Sequence, residues 1–235
     1  MKNKIIFWSP FFCYLIFIPI SPYLDHLTTF YFYNLSEKQF VQNPLFAFFY
    51  NYGNAPAHFI GILSFLFLFL SFISPFWKKF KPFFMVTFLS LVLGPGLIIN
   101  GTLKEVWGRP RPKQTIEFGG KQIFRPIYKP NFFHSIEPSK SFPSGHASMG
   151  FYFFVFIFLG IYYKIYWLAY GGMLIGSIYG SFMGLMRIAQ GGHYLSDVIT
   201  SAMICFYLPW LLTHLLVKKN YEGINKTSVR SITIH

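Results

Sequence analysis

The chain has 235 residues, of which 54% are hydrophobic and 23% aromatic, while only 11% are charged. A soluble domain carries about 25% charged residues, so this composition indicates an integral membrane protein. Twenty basic residues against seven acidic ones give a formal net charge of +13. No basic run is interleaved with stacking aromatic residues in a soluble module. The positive charge therefore favours anionic lipid and phosphate as partners, and not nucleic acid.

Six apolar stretches are long enough to cross a bilayer, for which about 20 residues are needed. They lie at residues 5–24, 58–77, 82–103, 147–163, 165–186 and 194–217. The sequence therefore predicts an all-α, polytopic bundle of six transmembrane helices. Residues 1–220 are expected to form a single membrane domain, followed by a polar C-terminal tail at residues 221–235. Prolines 10, 19 and 22 predict that the first helix is kinked or ends early.

Two stretches between the predicted helices do not cross the membrane. Residues 25–57 are aromatic and semi-polar, which favours a place at the membrane interface. Residues 104–146 form one long polar loop that holds eight of the twenty Lys and Arg residues. A loop of this length without clear secondary structure is usually functional or disordered. Several of its cations either keep the loop solvated or meet an anionic headgroup: Lys113, Lys121, Arg125, Lys129 and Lys140.

The charge distribution predicts the orientation of the chain. If six helices alternate, the lysines at both termini and in two short loops (residues 78–81 and 164) fall on one side. The positive-inside rule makes that side cytoplasmic. The basic loop at residues 104–146 lies on the opposite side and breaks the rule by simple counting, which is resolved if the loop is a ligand site. Both termini are then expected in the cytoplasm, and the loop at the periplasm or outer surface.

Three short polar clusters interrupt the apolar chain. They are Lys104-x6-Arg111-Pro112, Pro143-Ser144-Gly145-His146 and Arg187-x5-His193-x3-Asp197. The first follows the third predicted helix, the second precedes the fourth, and the third joins the fifth to the sixth. Helix alternation therefore brings all three to one membrane face. Ionisable groups beside membrane spans are costly and usually functional, so we expect the clusters to form one site.

The cations and the small residues of these clusters suit a phosphate group. Lys104, Arg111 and Arg187 would neutralise phosphoryl oxygens, the arginines by paired hydrogen bonds. Arg109 competes with Arg111 for this role, and the spacing from Lys104 favours Arg111. The segment 144–145 stands where the fourth helix begins, so its free backbone N–H groups and the helix dipole make an anion site.

The two histidines and the aspartate suit the cleavage of that phosphate. His193 and Asp197 are four residues apart and share one face if a helix starts there. The carboxylate would then fix the imidazole tautomer, as in an activated histidine nucleophile. His146 stands on another helix and is left free to protonate the leaving oxygen. No Cys/His cluster has zinc spacing.

Together the clusters resemble the signature of the type 2 phosphatidic acid phosphatase family. The resemblance implies that His193 forms a phosphohistidine, that Asp197 orients it and that His146 acts as the acid. It also implies that no metal or cofactor is needed. The phosphate-binding residues that it implies are Lys104, Arg111, Ser144, Gly145 and Arg187. One departure is Met186, which stands where the family commonly has Ser. The strings at 141–146 and 190–197 are similar to bacterial lipid A phosphatases within the family.

The expected function is therefore metal-independent hydrolysis of a phosphomonoester on a membrane phospholipid or glycolipid, at the periplasmic face of the bacterial inner membrane. Lipid A is the favoured substrate, and undecaprenyl pyrophosphate and phosphatidylglycerophosphate are alternatives that share the same core. A transporter or anion channel would use the same cations, but no matching pair of Gly/Pro-broken helices is present. A phosphatase-like binding protein is disfavoured because no catalytic position is missing. Haloperoxidase chemistry uses a soluble scaffold. Nothing in the sequence indicates an oligomeric state.

Overall fold

The computed structural model describes residues 2–132 and 139–218, with the side chains of 7–132 and 139–217. Within them lie six helical units that are long and apolar enough to cross a membrane, which confirms the predicted all-α polytopic bundle. The units are Phe7–Tyr31, Pro44–Ile73, Lys81–Val106, Gly145–Tyr162, Tyr166–Ala189 and Leu195–Val217. The predicted polar tail at 221–235 lies outside the described residues.

Helix α1 (Lys2–Tyr31) continues through all three of its prolines. The expectation that it ends early is therefore wrong. Pro22 has no N–H to donate to the carbonyl of Ile18, and the Ser21 hydroxyl donates to that carbonyl instead, at 2.8 Å. Serine hydroxyls commonly satisfy the backbone groups that proline frees in membrane helices, so the helix can continue.

The aromatic segment after α1 forms a hairpin and a separate helix. Strands β1 (Tyr33–Asn34) and β2 (Gln39–Phe40) pair antiparallel. Helix α2 (Pro44–Tyr52) then begins after the N-cap Asn43, whose side chain accepts a hydrogen bond from the Leu45 N–H. After a short break, α3 (Ala55–Ile73) continues the same apolar unit. The second unit thus begins 14 residues before the predicted position 58, because the apolar aromatic residues of α2 are helical.

The third unit ends on the first polar cluster. A short helix, α4 (Pro75–Lys78), leads to α5 (Lys81–Leu91). The wider π-helical turns of Val92–Leu103 and the last turn α6 (Lys104–Val106) complete this unit. Pro95 removes one backbone donor from the wide turns, and the Asn100 side-chain amide donates to the Pro95 carbonyl at 2.7 Å. π-Helical turns often occur at functional sites, and these turns lie directly before Lys104 of the first polar cluster.

The long polar loop has local structure of its own. Single 3-10 turns occur at Pro112–Gln114 and Ile116–Phe118. The Trp107 indole donates to the Ile127 carbonyl at 3.0 Å, and the Ser141 N–H donates to the Arg109 carbonyl at 3.0 Å. The expectation of a loop without secondary structure is therefore wrong for its described part, because backbone hydrogen bonds fold it over the bundle end.

The fourth unit is the most buried of the six, and the fifth and sixth pack against it. They consist of α7 (Gly145–Phe151), a 3-10 turn (Tyr152–Phe154), α8 (Val155–Tyr162), α9 (Tyr166–Ala189), α10 (Leu195–Thr213) and π-helical turns at His214–Lys218. Glycines recur at every fourth residue of α9, from Gly172 to Gly184. A Cβ on Gly150 of α7 would lie only 2.5 Å from the Gly180 Cα. Small residues allow such close helix contact in membranes, and α7 with the second polar cluster is thereby held at the bundle centre.

Candidate active site

The three polar clusters meet at one end of the bundle. Backbone contact joins the second to the third, because the Ser144 N–H donates to the Asp197 carbonyl at 3.2 Å. The first cluster touches the second at Gly145, where an added Cβ would lie 2.7 Å from the Lys104 Nζ. Lys104 Nζ also donates to the Asn100 side chain at 2.9 Å. The juxtaposition that helix alternation predicts is therefore present.

His193 is almost completely buried, and its proton position is fixed by a backbone carbonyl. The Nδ1 atom lies 2.5 Å from the Ser141 carbonyl oxygen and 3.6 Å from Asp197 Oδ2. A carbonyl oxygen only accepts hydrogen bonds, so Nδ1 carries the proton and Nε2 keeps its lone pair. The sequence predicts that Asp197 fixes this tautomer, but the nearer partner is Ser141, to which the sequence pattern assigns no role.

Asp197 lies closer to the residues around His193 than to the His193 ring itself. Its Oδ2 accepts from the Ser141 hydroxyl at 2.6 Å and from the Tyr194 backbone N–H at 2.8 Å. Both donors belong to segments that hold His193, the first through its carbonyl and the second as its chain neighbour. The carboxylate therefore orients His193 through the backbone around it as well as by direct electrostatic attraction.

Burial keeps His193 neutral. Removal from water lowers the pKa of His193 to about 3, with nearby Arg187 and Lys104 adding to the effect, although Asp197 acts in the opposite direction. Burial disfavours the charged form of a histidine, and so do neighbouring cations. At neutral pH the imidazole is therefore unprotonated at Nε2 and available as a nucleophile.

A buried network of charges lies behind Asp197. Arg109 bridges two carboxylates, Asp197 through Nη1 and Asp25 of α1 through Nη2, the latter at 2.7 Å. The Arg109 Nε donates to the Arg125 carbonyl at 2.8 Å. Asp25 also accepts from the Ser196 N–H at 2.8 Å and from its hydroxyl at 2.6 Å. The charge of Asp197 raises the pKa of Arg109, as does that of Asp25, against the opposing effect of burial. The network fixes the position of the Asp197 carboxylate through its Oδ1 atom.

Sequence reasoning did not assign Asp25 to the site. It lies in the first helix, far from the three clusters. The available signal was its position near the end of an apolar span, where an aspartate is rare and marks a functional or paired group. Arg109 was considered only as a rival of Arg111, and the structure places it in this buried network instead.

Arg111 points to a different place, a polar cavity of about 340 Å³ that Lys113, Arg187 and Gln190 also line. The Nε atoms of Arg111 and Arg187 are buried without a hydrogen-bond partner among the described residues. Gln190 orients Arg187 by accepting from its Nη1 at 2.6 Å. Burial lowers the pKa of Lys113, and the charges of the two arginines lower it further. Cations with unused donors are suited to binding an anion, which is the chemistry that the sequence predicts here.

The other loop cations have different surroundings. Lys140 pairs with Glu105 at the surface, and Arg125 enters the site only through its backbone carbonyl. Of the five cations with two possible roles, Lys113 is the one that lines the cavity. Met186, which replaces the usual serine, is buried in the bundle. The described residues include no group of three or more His, Cys, Asp or Glu side chains placed to hold a metal ion.

Another part of the cavity wall comes from residues of β2, of α2 and of the segment between them. Its lining residues are Phe40, Val41, Gln42, Asn43, Ala47 and Tyr50. The Tyr50 ring stacks on His146, with centroids 4.8 Å apart and planes 14° apart. The Nε2 of His146 lies 3.1 Å from the Tyr50 carbonyl. His146 is therefore held by α2, whereas the sequence left it free. Tyr50 carries no sequence signal that sets it apart from neighbouring aromatic residues.

Comparison with known proteins assigns the class. The model of the PAP2 superfamily matches residues 83–221, more than half of the chain. The chain belongs to this superfamily, as its motifs suggest, and is a membrane-embedded phosphoric monoester hydrolase acting on lipid.

Three proteins named lipid A 4'-phosphatase are similar to this chain, over different lengths. A lipid A 4'-phosphatase of Francisella tularensis subsp. novicida (strain U112) is 33% identical over 212 residues, covering 89% of this chain and 93% of that protein. A lipid A 4'-phosphatase of Rhizobium etli is 36% identical over 110 residues, or 46% of this chain and 40% of that protein. A Rhizobium leguminosarum protein of the same name matches similarly. No solved structure matches the chain significantly.

Proposed function

We propose that this protein is a lipid A phosphatase that removes the 4'-phosphate through a phosphohistidine intermediate on His193. The observation that carries the mechanism is the 2.5 Å contact between Nδ1 of His193 and the Ser141 carbonyl. It leaves Nε2 with a free lone pair in a buried, neutral ring. Support for the substrate comes from the Francisella relative, whose similarity extends over nearly the whole length of both chains.

The first step forms a bond from His193 Nε2 to phosphorus while the bond from phosphorus to the lipid oxygen breaks. The anionic phosphate stabilises His146 as an imidazolium, which gives its Nε2 proton to that oxygen. The lipid then leaves as an alcohol, and His146 becomes neutral. Lys104, Arg111 and Arg187 neutralise the phosphoryl oxygens, and their fixed positions stabilise the charge of the transition state. Asp197 stabilises the positive charge that develops on the His193 ring.

In the second step water attacks the phosphohistidine. His146, now neutral, takes a proton from that water, and the bond from phosphorus to Nε2 breaks. Inorganic phosphate leaves the cavity, and His193 returns to its neutral form with the proton still on Nδ1. A side chain at Gly145 would collide with Lys104 and Asn100 of the same cluster. The glycine allows phosphate to approach the helix start closely.

We further propose that the site faces the periplasm and that both termini are cytoplasmic. The support is the positive-inside distribution: Lys78, Lys79, Lys81 and Lys164 lie on the side opposite the clusters. Single cysteines at the exposed positions Lys121 and Lys164, in a Cys13→Ser background, would test this. A membrane-impermeant maleimide should label position 121 in intact spheroplasts and position 164 only after lysis. The reverse pattern would contradict the orientation.

The chemical proposal is tested with purified protein in EDTA and three lipids side by side: lipid A, phosphatidylglycerophosphate and undecaprenyl pyrophosphate. Mass spectrometry should find the loss of one phosphate from the 4' position of lipid A. The wild type should also yield an acid-labile phosphoprotein on brief mixing with substrate. His193→Ala should abolish both signals, and His214→Ala, at an exposed histidine, should retain them.

Two outcomes would overturn separate parts of the proposal. Phosphate release that persists in His193→Ala would contradict the nucleophile, whichever lipid is cleaved. Equal rates on all three lipids, or cleavage at another position of lipid A, would contradict the substrate while leaving the mechanism intact.

A further inference from the structure

The helix α2 lies outside the residues that the family model matches, yet it contributes a residue to the centre of the site. Tyr50 contacts two groups of the phosphate machinery at once. Its ring lies parallel to His146, and the Arg187 guanidinium carbon is 4.6 Å from the centroid of the same ring. A cation over an aromatic face is electrostatically attracted, so the ring holds Arg187 and His146 in a fixed relation.

The position of Tyr50 is itself fixed by α9. Phe49 packs edge-on against Phe182, with ring centroids 4.8 Å apart. The Tyr179 hydroxyl donates to the Gly53 carbonyl at 2.6 Å, just beyond the end of α2. Before α2, the Val41 N–H donates to the last carbonyl of α9 at 3.1 Å. Three anchors therefore hold this segment on the same helix that carries Arg187.

The backbone of Tyr50 controls the proton of His146. A carbonyl can only accept, so the 3.1 Å contact with the His146 Nε2 requires a proton on that nitrogen. The proton for the leaving oxygen is therefore located on Nε2, and the anionic phosphate stabilises the second ring proton that makes His146 an acid. The parallel ring contact fixes the plane in which that N–H points.

We propose that Tyr50 is a positioning residue that holds His146 as the general acid for the lipid leaving group. This inference rests on the proposed function, in which His146 protonates the lipid oxygen. When the lipid phosphate binds, its leaving oxygen replaces the Tyr50 carbonyl as the acceptor of the Nε2 proton. The proton moves to that oxygen as its bond to phosphorus breaks and the bond from phosphorus to His193 forms. The stacked ring keeps the plane of the imidazole, within which Nε2 turns from the carbonyl to the leaving oxygen.

The test uses two phosphate monoesters that differ in their need for an acid. An alkyl phosphate has a poor leaving group that must be protonated, whereas 4-nitrophenyl phosphate releases a stable anion without help. In single-turnover experiments, Tyr50→Ala should lower the rate of phosphoprotein formation from the alkyl ester about 100-fold, the lower end of the usual contribution of a general acid. It should lower the same rate for the aryl ester less than about threefold. The lost contact with Arg187 should raise KM for both esters equally.

Two matched variants separate positioning from folding. Tyr50→Phe keeps the ring and the carbonyl and should behave as the wild type on both esters. Tyr52→Ala removes an exposed ring of the same helix and should leave both rates unchanged. Equal losses on both esters in Tyr50→Ala would overturn the proposal, because a merely structural role predicts no dependence on the leaving group.

His146→Ala distinguishes failure of this inference from failure of the proposed mechanism. Selective loss on the alkyl ester in His146→Ala, but not in Tyr50→Ala, would contradict the role of Tyr50 alone. Equal loss of the rate of phosphoprotein formation from both esters in His146→Ala would contradict the assignment of His146 as the acid.

Discussion

The two arginines of the first cluster should respond in opposite ways to the same substitution. Arg109→Met leaves Asp25 and Asp197 buried without the cation that they share, and both carboxylates are fully buried. Removing one partner of a buried ion pair costs about 3–5 kcal/mol. Because domains are typically stable by only about 5–15 kcal/mol, this variant should lose a large part of its free energy of unfolding.

Arg111→Met is the matched comparison. It removes one of several cations that repel one another across the cavity, and no buried carboxylate depends on it. We expect its free energy of unfolding to stay within about 0.5 kcal/mol of wild type, or to rise. Its activity should nevertheless be lost with the phosphate contact. Unfolding of the detergent-solubilised protein, followed by the fluorescence of its five Trp residues, measures the first quantity, and phosphate release measures the second.

A second substitution tests the physical reason. Asp25→Asn alone should destabilise by about 1.5–3 kcal/mol, the usual value for a hydrogen bond to a charged group. In the Arg109→Met background the same change should instead stabilise, because it removes an uncompensated buried charge. This reversal of sign is a coupling that only residues in one network produce. Equal stability of the two arginine variants, or no reversal, would refute the assignment of Arg109 to the network.

Two further predictions concern single residues of the site. Gly145→Ala should lower activity strongly with little change in expression, because the new Cβ would lie 2.5 Å from the Asn100 Oδ1 and 2.7 Å from the Lys104 Nζ. The control Gly171→Ala places a Cβ where nothing lies within 4 Å, and it should stay fully active. The pKa of His193 is lowered to about 3 in the folded protein, whereas an unfolded histidine has a pKa of about 6.5. Between those pH values the unfolded state binds one more proton than the folded state. The free energy of unfolding therefore falls as the pH drops through this range. The wild type should therefore lose up to about 1.4 kcal/mol per pH unit more than His193→Gln below pH 6; parallel stability curves for the two proteins would contradict a buried, neutral His193.

The six spans and the meeting of the three clusters could be predicted because they depend on local properties. Apolar length determines a membrane helix, and alternation of helices determines which ends share a face. The first helix was predicted to kink or end early because the proline rule describes the backbone alone, and the early end does not occur. The Ser21 hydroxyl, which satisfies the freed carbonyl, depends on a side-chain geometry that no pattern states.

The roles of Asp25 and Tyr50 could not be predicted for a related reason. Asp25 meets Arg109 across 84 residues of chain, and Tyr50 reaches His146 across 96. Such contacts depend on how α1 and α2 pack against α9 and α10, and residue spacing contains no information about that packing. The roles of Arg109 and Arg111 also depend on it, since only the folded loop sends one inward and the other to the cavity.

The charge network also constrains how the protein is made. Asp25 enters the membrane with α1, long before Arg109 is synthesised, and an aspartate at the centre of a new span costs about 2.5–3.5 kcal/mol. It lies six residues before the end of α1, or about 9 Å along the axis, so it can stay near the headgroups while it waits. The first span is also the one with the least burial inside the protein, at 6%. The end of α1 that carries Asp25 is therefore fixed only after Arg109 of the polar loop has docked against it. Membrane quality-control proteases would meet an unfixed first helix in every chain whose loop fails to fold.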